Sequence, residues 1–217
     1  MTSHPFPHRR PALAAALVAA CLLGACAPVL IGGAAAGGAM MATDRRSAGA
    51  QVEDQTIETK AASVVSSLLG DRAHVNITSY NRVVLLTGEV PTEADKAAVE
   101  KNIAQLENVR SIVNDLAVMP NSSLSTRSND TIITGMVKAS FVDASALSAN
   151  SIKVVTERGV VFLMGRVTEA EAKLAVELTR SVSGVQKVVR VFEIVTPSEL
   201  AGLKPATPAS APAASRP

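Results

Sequence analysis

The chain has 217 residues, with 21 Lys and Arg against 19 Asp and Glu, and aromatic residues make up 2% of it. Loss of Arg9 and Arg10 with an N-terminal signal would leave 19 basic against 19 acidic residues, which is not the strongly basic composition of nucleic-acid-binding proteins. With no Trp and a single Tyr there is no platform for base stacking, so no nucleic-acid partner is predicted.

The N-terminal segment has the features of a bacterial lipoprotein signal peptide. Residues 8–10 are positively charged or basic, and an apolar run, ALAAALVAA, follows them. Residues 23–26, LGAC, then have the form of a lipobox, in which a Leu and two small residues precede the Cys that takes the diacylglycerol. Residues 18–21, VAAC, are a rival with Val in place of Leu. We predict a signal peptide over residues 1–25 and lipidation at Cys26, with Cys21 as the alternative.

The segment after the signal is uncharged and rich in Ala and Gly. No charge occurs from Pro11 to Thr43, which is long enough to cross a bilayer. Cleavage before Cys26 would divide this stretch, and Ala and Gly bury little area and support helices poorly. We therefore predict a lipidated tether over residues 26–53, with a membrane span as the alternative. Ala27, rather than Asp, follows the Cys, which is the pattern of lipoproteins sent on to the outer membrane in Gram-negative bacteria.

An internal repeat follows the tether. The sequence VVLLTGEVPTEADKAAVE at residues 83–100 matches VVFLMGRVTEAEAKLAVE at residues 160–177, so that Gly88 aligns with Gly165. The repeat divides the chain into a first domain at 54–119, a Ser/Asn-rich linker at 120–128, a second domain at 129–195 and a disordered Pro/Ala-rich tail at 196–217.

Periodicity predicts the same elements in each copy. In the first copy, apolar residues at helical spacing run from 57 to 68, and residues 75–79 alternate as a strand. An apolar strand covers residues 83–90, Thr92 is the N-cap of a second helix, and a last strand covers residues 110–119. The predicted fold is α+β, with two tandem α-β-β-α-β domains, each a three-stranded mixed sheet covered by two helices.

Gly88 and Gly165 each stand just before the end of the second strand of a copy. We expect them to permit the close approach of a helix or a β-bulge. A nucleotide-binding loop would need more glycines than either segment contains.

The sequence does not favour an enzyme. Cys21 would leave with the signal and Cys26 would be lipidated, so no thiol remains for a disulfide, a metal or a nucleophile. His74 would be the one histidine of the mature chain, and we interpret it as a surface residue. No HExxH, GxSxG or P-loop pattern occurs. We predict no catalytic activity, no cofactor and no metal site.

Several short motifs carry a family resemblance. LLTGEV and FLMGRV contain the G-x-V motif that follows an apolar strand in BON domains, and ATDRRSAGAQVEDQTIE and SNDTIIT add to the match. The chain from Cys26 to Val195 resembles the dual BON-domain outer-membrane lipoproteins. The resemblance implies a non-enzymatic protein, lipid-anchored at the outer membrane and facing the periplasm. It also implies binding of anionic phospholipid through the second domain and support of envelope integrity. The alternative is a periplasmic adaptor that docks onto outer-membrane assembly proteins.

The two copies differ along one edge of their first helices. At an offset of 76 residues, Thr56 aligns with Ile132 and Lys60 with Met136, so the edge is polar in the first copy and apolar in the second. An apolar helix edge suits a surface that touches lipid. The alternative is that Ile132 and Met136 pack against the first domain.

Charge differs between the copies as well. Residues 54–119 contain 6 basic and 9 acidic side chains, whereas residues 129–195 contain 8 and 7. The less acidic copy is better suited to anionic headgroups. We predict that Ile132, Met136 and the nearby Lys138 form the lipid-binding residues.

Overall fold

A computed structural model describes residues 44–144 and 146–203. The predicted signal peptide, the lipidation site at Cys26 and the tether up to residue 43 lie outside the described residues, as does the tail from residue 204. Among the helices of the described part, none is both long enough and apolar enough to cross a membrane.

The described chain contains two copies of an α-β-β-α-β unit, which confirms the predicted α+β fold. In each three-stranded sheet the second strand is central, antiparallel to the first strand and parallel to the third. The first domain consists of α1 Ala48–Leu69, β1 His74–Tyr80, β2 Val83–Val90, α2 Glu93–Ala104 and β3 Ser111–Val118. The second consists of α3 Leu124–Asp143, β4 Ile152–Glu157, β5 Val160–Val167, α4 Glu169–Ser181 and β6 Lys187–Ile194, and α5 Pro197–Leu203 follows it.

The helices begin at Ser or Thr N-caps. Ser47 accepts a hydrogen bond from the N–H of Ala50, and Ser123 accepts one from the N–H of Thr126. The apolar pattern predicts that the two domains start at residues 54 and 129. Helices α1 and α3 begin earlier than that, at residues 48 and 124. An N-cap side chain satisfies the free N–H groups of a first helical turn, so the helix extends beyond its apolar stripe.

Each domain has its own hydrophobic core between its helices and one face of its sheet. In the first domain this core is formed by Ile57, Ala61, Val65, Leu69, Val84, Leu86, Val90, Val99, Ile103 and Leu116. In the second it is formed by Ile133, Val137, Phe141, Leu147, Ile152, Val154, Val161, Leu163, Val167, Ala172, Ala175 and Val176.

A third hydrophobic cluster joins the two domains. Tyr80 and Leu85 of the first domain pack with Phe162 and Met164 of the second, with partly buried valines from both sheets around them. Successive residues of a strand point to opposite faces, so the helix-free faces of the two sheets pack against each other. The domains form a layered structure in which two sheets lie between two pairs of helices.

Polar contacts surround this shared cluster. Arg158 of the second domain lies 2.9 Å from the buried Glu89 of the first. Burial raises the pKa of Glu89, but hydrogen bonds from the Ser122 N–H and from Arg158 outweigh burial and hold the pKa below its usual range. At the other side Lys153 lies 2.9 Å from Glu58. The contacts from Ser122 and Arg158 compensate the removal of the Glu89 carboxylate from water.

A buried aspartate in the first helix of each domain holds the β-hairpin turn. Asp54 accepts hydrogen bonds of 2.8 and 2.7 Å from the N–H groups of residues 81 and 82, which both have positive φ. Asp130 does the same for residues 158 and 159 at 2.8 Å. In each domain the carboxylate satisfies two backbone donors of the turn.

The expectation that Gly88 and Gly165 admit a helix or a bulge is not what the structure shows. A Cβ at Gly88 would lie 2.0 Å from the carbonyl oxygen of His74, and one at Gly165 would lie 2.5 Å from that of Ser151. The group that approaches each glycine is therefore the backbone at the start of the neighbouring antiparallel strand. Gly88 also has a φ of 110°, which residues with a side chain rarely adopt.

Candidate lipid-binding site

The predicted lipid-binding residues lie on the solvent side of α3. Ile133, Val137 and Phe141 face the core of the second domain. Ile132 and Met136 are turned away from that core and are 59% and 39% exposed. The alternative that these two side chains pack against the first domain is therefore wrong.

Two further apolar residues lie on the solvent side of α3, about 80° around the helix from Ile132. Leu124 is 77% exposed at the start of the helix, and Val142 is 72% exposed near its end. Sequence comparison with the first copy could have identified both, because the equivalent residues at the offset of 76 are Ala48 and Ser66. Together with Ile132 and Met136 they form what we call the apolar face of α3.

The equivalent side of α1 is polar. Thr56 is exposed at the position of Ile132, and its hydroxyl donates to the carbonyl of Val52 at 2.9 Å. Ser63 and Ser67 donate to the carbonyls one turn earlier, at 3.2 and 2.9 Å. These hydroxyls are satisfied within the helix and face water. Val52 and, near the end of the helix, Leu68 are the exposed large apolar residues of α1. An extended apolar face therefore belongs to only one of the two first helices.

Lys138 is exposed and lies at the flank of the apolar face. It follows Ile132 by six residues, which places it about 120° around the helix at 100° per residue. A long side chain at that angle reaches outward beside an apolar surface while its ammonium stays in water. Asp143, also exposed, ends the helix and brings a negative charge to the same side.

The comparisons with known proteins agree with this architecture. The BON domain family matches residues 53–120 and 129–196. "Outer membrane lipoprotein DolP" of Haemophilus influenzae is 36% identical over 183 residues, covering 83% of this chain and 94% of that protein. The "21 kDa hemolysin" of Actinobacillus pleuropneumoniae is 36% identical over 154 residues, covering 70% of this chain and 79% of that protein.

Similarity to solved structures is weaker. The C-terminal domain of CdsD, a structural protein of the type III secretion system of Chlamydia trachomatis, matches with 10% identity and a TM-score of 0.28. It covers 62% of this chain and 96% of that one.

Proposed function

The chain belongs to the BON-domain family, with two such domains, and from that premise we propose that it is an outer-membrane lipoprotein anchored through Cys26. Its second domain would bind anionic phospholipid through the apolar face of α3 and support envelope integrity from the periplasmic side. The names of the two relatives, an outer-membrane lipoprotein and a hemolysin, support a membrane-associated role and name no enzyme.

The observation that carries the proposal is the contrast between α3 and α1. The two domains share a fold, but exposed apolar side chains on the outer helix face are concentrated in the second. Full burial of a Leu, Val, Ile or Met side chain contributes about 1.5–3 kcal/mol. Partial insertion of the apolar face into the headgroup region would thus contribute on the order of a few kcal/mol, and a basic residue such as Lys138 about 1 kcal/mol more.

Because the proposed lipid anchor already holds the protein at the membrane, a weak contact between α3 and lipid would be sufficient for binding. The 17 residues from Ala27 to Thr43 would reach no further than about 60 Å even when fully extended. A domain held within that distance of a bilayer experiences a high effective concentration of lipid, so α3 needs little affinity of its own.

Vesicle flotation tests the lipid contact without the anchor. Protein lacking residues 1–26 is mixed with phosphatidylcholine vesicles that contain or lack phosphatidylglycerol. We expect it to float more strongly with the anionic vesicles than with the neutral ones. High salt should weaken flotation partly, because the charge of Lys138 is screened and the apolar contact is not.

A matched pair of variants locates the binding surface. Ile132→Glu should weaken binding to anionic vesicles at least tenfold, since it removes an apolar contact and places a negative charge beside an anionic surface. Thr56→Glu, at the equivalent site of the first domain, should change little. Both positions are exposed, so both melting temperatures should stay nearly unchanged. If Ile132→Glu floats as the parent protein does, the alternative function as a periplasmic adaptor is favoured, in which the apolar face of α3 binds a protein.

A further inference from the structure

Three potential metal ligands meet at the boundary between the two domains. One ligand atom each of His74, Glu89 and Glu157 lie within 4.8 Å of one another. His74 and Glu89 belong to the first domain and Glu157 to the second. The two glutamates are 0% and 2% exposed, whereas His74 is partly exposed. Glu89 has Arg158 as a compensating cation at 2.9 Å, whereas the equally buried Glu157 lies 4.0 Å from that guanidinium, so the burial of Glu157 requires an explanation.

The backbone holds these residues in place. His74 begins β1 directly opposite Glu89 of β2 in the antiparallel register. The strands approach closely there because the neighbouring Gly88 has no Cβ to meet the carbonyl of His74. Glu157 ends β4, just before the turn that Asp130 holds. The imidazole and both carboxylates thus come from ordered strands and not from mobile loops.

The charges around the cluster do not balance. Arg158 lies 2.9 Å from Glu89, 3.8 Å from Asp115 and 4.0 Å from Glu157. Asp130 and Arg127 line a cavity of about 250 Å³ that His74 and Glu157 also line. Four acidic side chains therefore face two basic guanidinium groups, which leaves an excess of two carboxylates. A divalent cation would neutralise them.

Two polar side chains flank the cluster, and one of them has no hydrogen-bond partner among the described residues. The hydroxyl of Thr87, on the same face of β2 as Glu89, is buried and has no hydrogen-bond partner among the described residues. Directly opposite Thr87, the Asn76 amide nitrogen lies 2.8 Å from Glu157 Oε2 and 3.3 Å from His74 Nε2. The amide thus bridges two of the potential ligands, where a cation would make the same contacts.

We propose that His74, Glu89 and Glu157 bind a divalent transition-metal ion of the Zn²⁺ type that links the two domains. Imidazole and carboxylate ligands suit Zn²⁺, at distances of about 2.0–2.2 Å. The three atoms need to draw in by about an ångström or less to reach those lengths. The cavity gives an ion access from solvent and leaves room for a water as fourth ligand. The site revises the sequence-based interpretation of His74 as a simple surface residue, and it is independent of the lipid surface on α3.

The test is Zn²⁺ binding to the full chain in detergent after treatment with a chelator. Every protein carries His4→Gln, His8→Gln, Cys21→Ser and Cys26→Ser, so that His74 is the one histidine and no thiol competes for Zn²⁺. We expect one Zn²⁺ per chain by titration against a chromophoric chelator. With free Zn²⁺ at about 100 times the dissociation constant, the melting temperature should rise by about 5–10 °C.

Variants assign the ligands. His74→Gln should lower the affinity at least tenfold and abolish the rise in melting temperature, while the metal-free protein melts close to its parent. Glu157→Gln should lower the affinity similarly. Glu107→Gln, at an exposed carboxylate, is the control and should bind as its parent does. No stoichiometric binding, or binding unchanged by His74→Gln, would overturn the proposal. If a variant does not fold, X-ray absorption at the zinc edge of the parent decides: an imidazole nitrogen with carboxylate oxygens supports the site, and a shell without imidazole overturns it.

Discussion

Arg45, which lies just before α1, donates hydrogen bonds of 2.9 and 2.6 Å to the two carboxylate oxygens of Glu171 at the start of α4. It also donates to the carbonyl of Arg166 at 2.8 Å. Burial raises the pKa of Glu171, but the hydrogen bonds from Arg45 and Thr168 hold it below its usual range. The segment that enters the first domain is therefore fastened to the second, and the point where a tether would emerge is fixed relative to both.

A double-mutant cycle on this pair should reveal coupling between the segment before α1 and the second domain. We expect Arg45→Ala and Glu171→Gln each to destabilise the protein. The double variant should lose less than the sum of the two single losses, by a coupling energy of about 1–2 kcal/mol, because either substitution alone already removes the charge-assisted bidentate contact. Gln at position 171 keeps the capping box of α4, so the helix itself is spared. Urea unfolding provides the free energies. Additive effects would mean that the contact contributes nothing.

Substitution of the glycine in the G-x-V motif should be severe. In Gly88→Ala the new Cβ would meet the His74 carbonyl oxygen, and an L-residue would be forced to a φ of 110°. We expect a loss of about 3 kcal/mol or more, seen as a large fall in the thermal midpoint.

The control for that substitution lies in α3. A Cβ at Gly135 meets nothing within 4 Å, and the residue is exposed in the middle of a helix. Gly135→Ala should stabilise the protein by up to about 1 kcal/mol. Equal responses to the two substitutions would show that the strand contact at Gly88 is unimportant.

Repeat and periodicity were sufficient to predict the order of elements, but not the packing of the two sheets. The adjacent Leu85 and Leu86 in VVLLTGEV are both apolar, which indicates a strand buried on both faces. That pattern does not say what covers the second face, because the partner residues Phe162 and Met164 are far away in the sequence. The shared role of Asp54 and Asp130 could have been predicted from the sequence, because in both copies an Asp precedes the first residue of the apolar stripe by three positions.

The same holds for the site residues: what depends on neighbouring positions in the sequence could be predicted, and what depends on contacts between the domains could not. Exposure of Ile132 and Met136 follows from helical spacing relative to the core stripe of α3, and spacing is a local property. The meeting of His74 with Glu157 depends on how one domain sits on the other. No pattern within either copy indicates it.

Acid should destabilise the protein through its buried carboxylates. Burial raises the pKa of Asp54, but hydrogen bonds from Ser79, Arg82, Arg46 and Asn81 outweigh burial and hold it below its usual range. The folded-state pKa is below the unfolded one of about 3.9, so the unfolded chain takes up the proton first as pH falls. The stabilisation is complete above about pH 4 and is lost as pH falls through the folded-state pKa.

Asp54→Asn should flatten this acid dependence while lowering stability at neutral pH by about 1–3 kcal/mol, because an amide offers one acceptor where the carboxylate offers two. Chemical unfolding between pH 2.5 and pH 7 measures both effects. An unchanged slope below pH 4 in the variant would assign the acid transition to other groups.

Membrane attachment should depend on one of the two cysteines. If Cys26 is the lipidated residue, Cys26→Ala should leave the protein uncleaved by the lipoprotein signal peptidase or soluble in the periplasm, because no thiol remains after the cleavage site. Cys21→Ala is the control and should be processed normally. Membrane fractionation with labelled palmitate reads out both. Normal processing of Cys26→Ala would point to Cys21 or to a membrane span.

The second domain should fold alone, but with the sheet face that contacts the first domain exposed to water. Residues 122–203 contain a complete core, so we expect cooperative but marginal thermal unfolding, as is usual at this size. Phe162 and Met164 would then lie on an uncovered sheet face, and we expect binding of a hydrophobic dye or dimerisation. Phe162→Ser should cost about 3–5 kcal/mol in the whole chain, where the ring is fully buried, but much less in the isolated domain. If Phe162→Ser lowers the free energy of unfolding equally in the whole chain and in the isolated domain, Phe162 mainly stabilises its own domain. The contact between the two sheets would then not be the main interaction that holds the domains together.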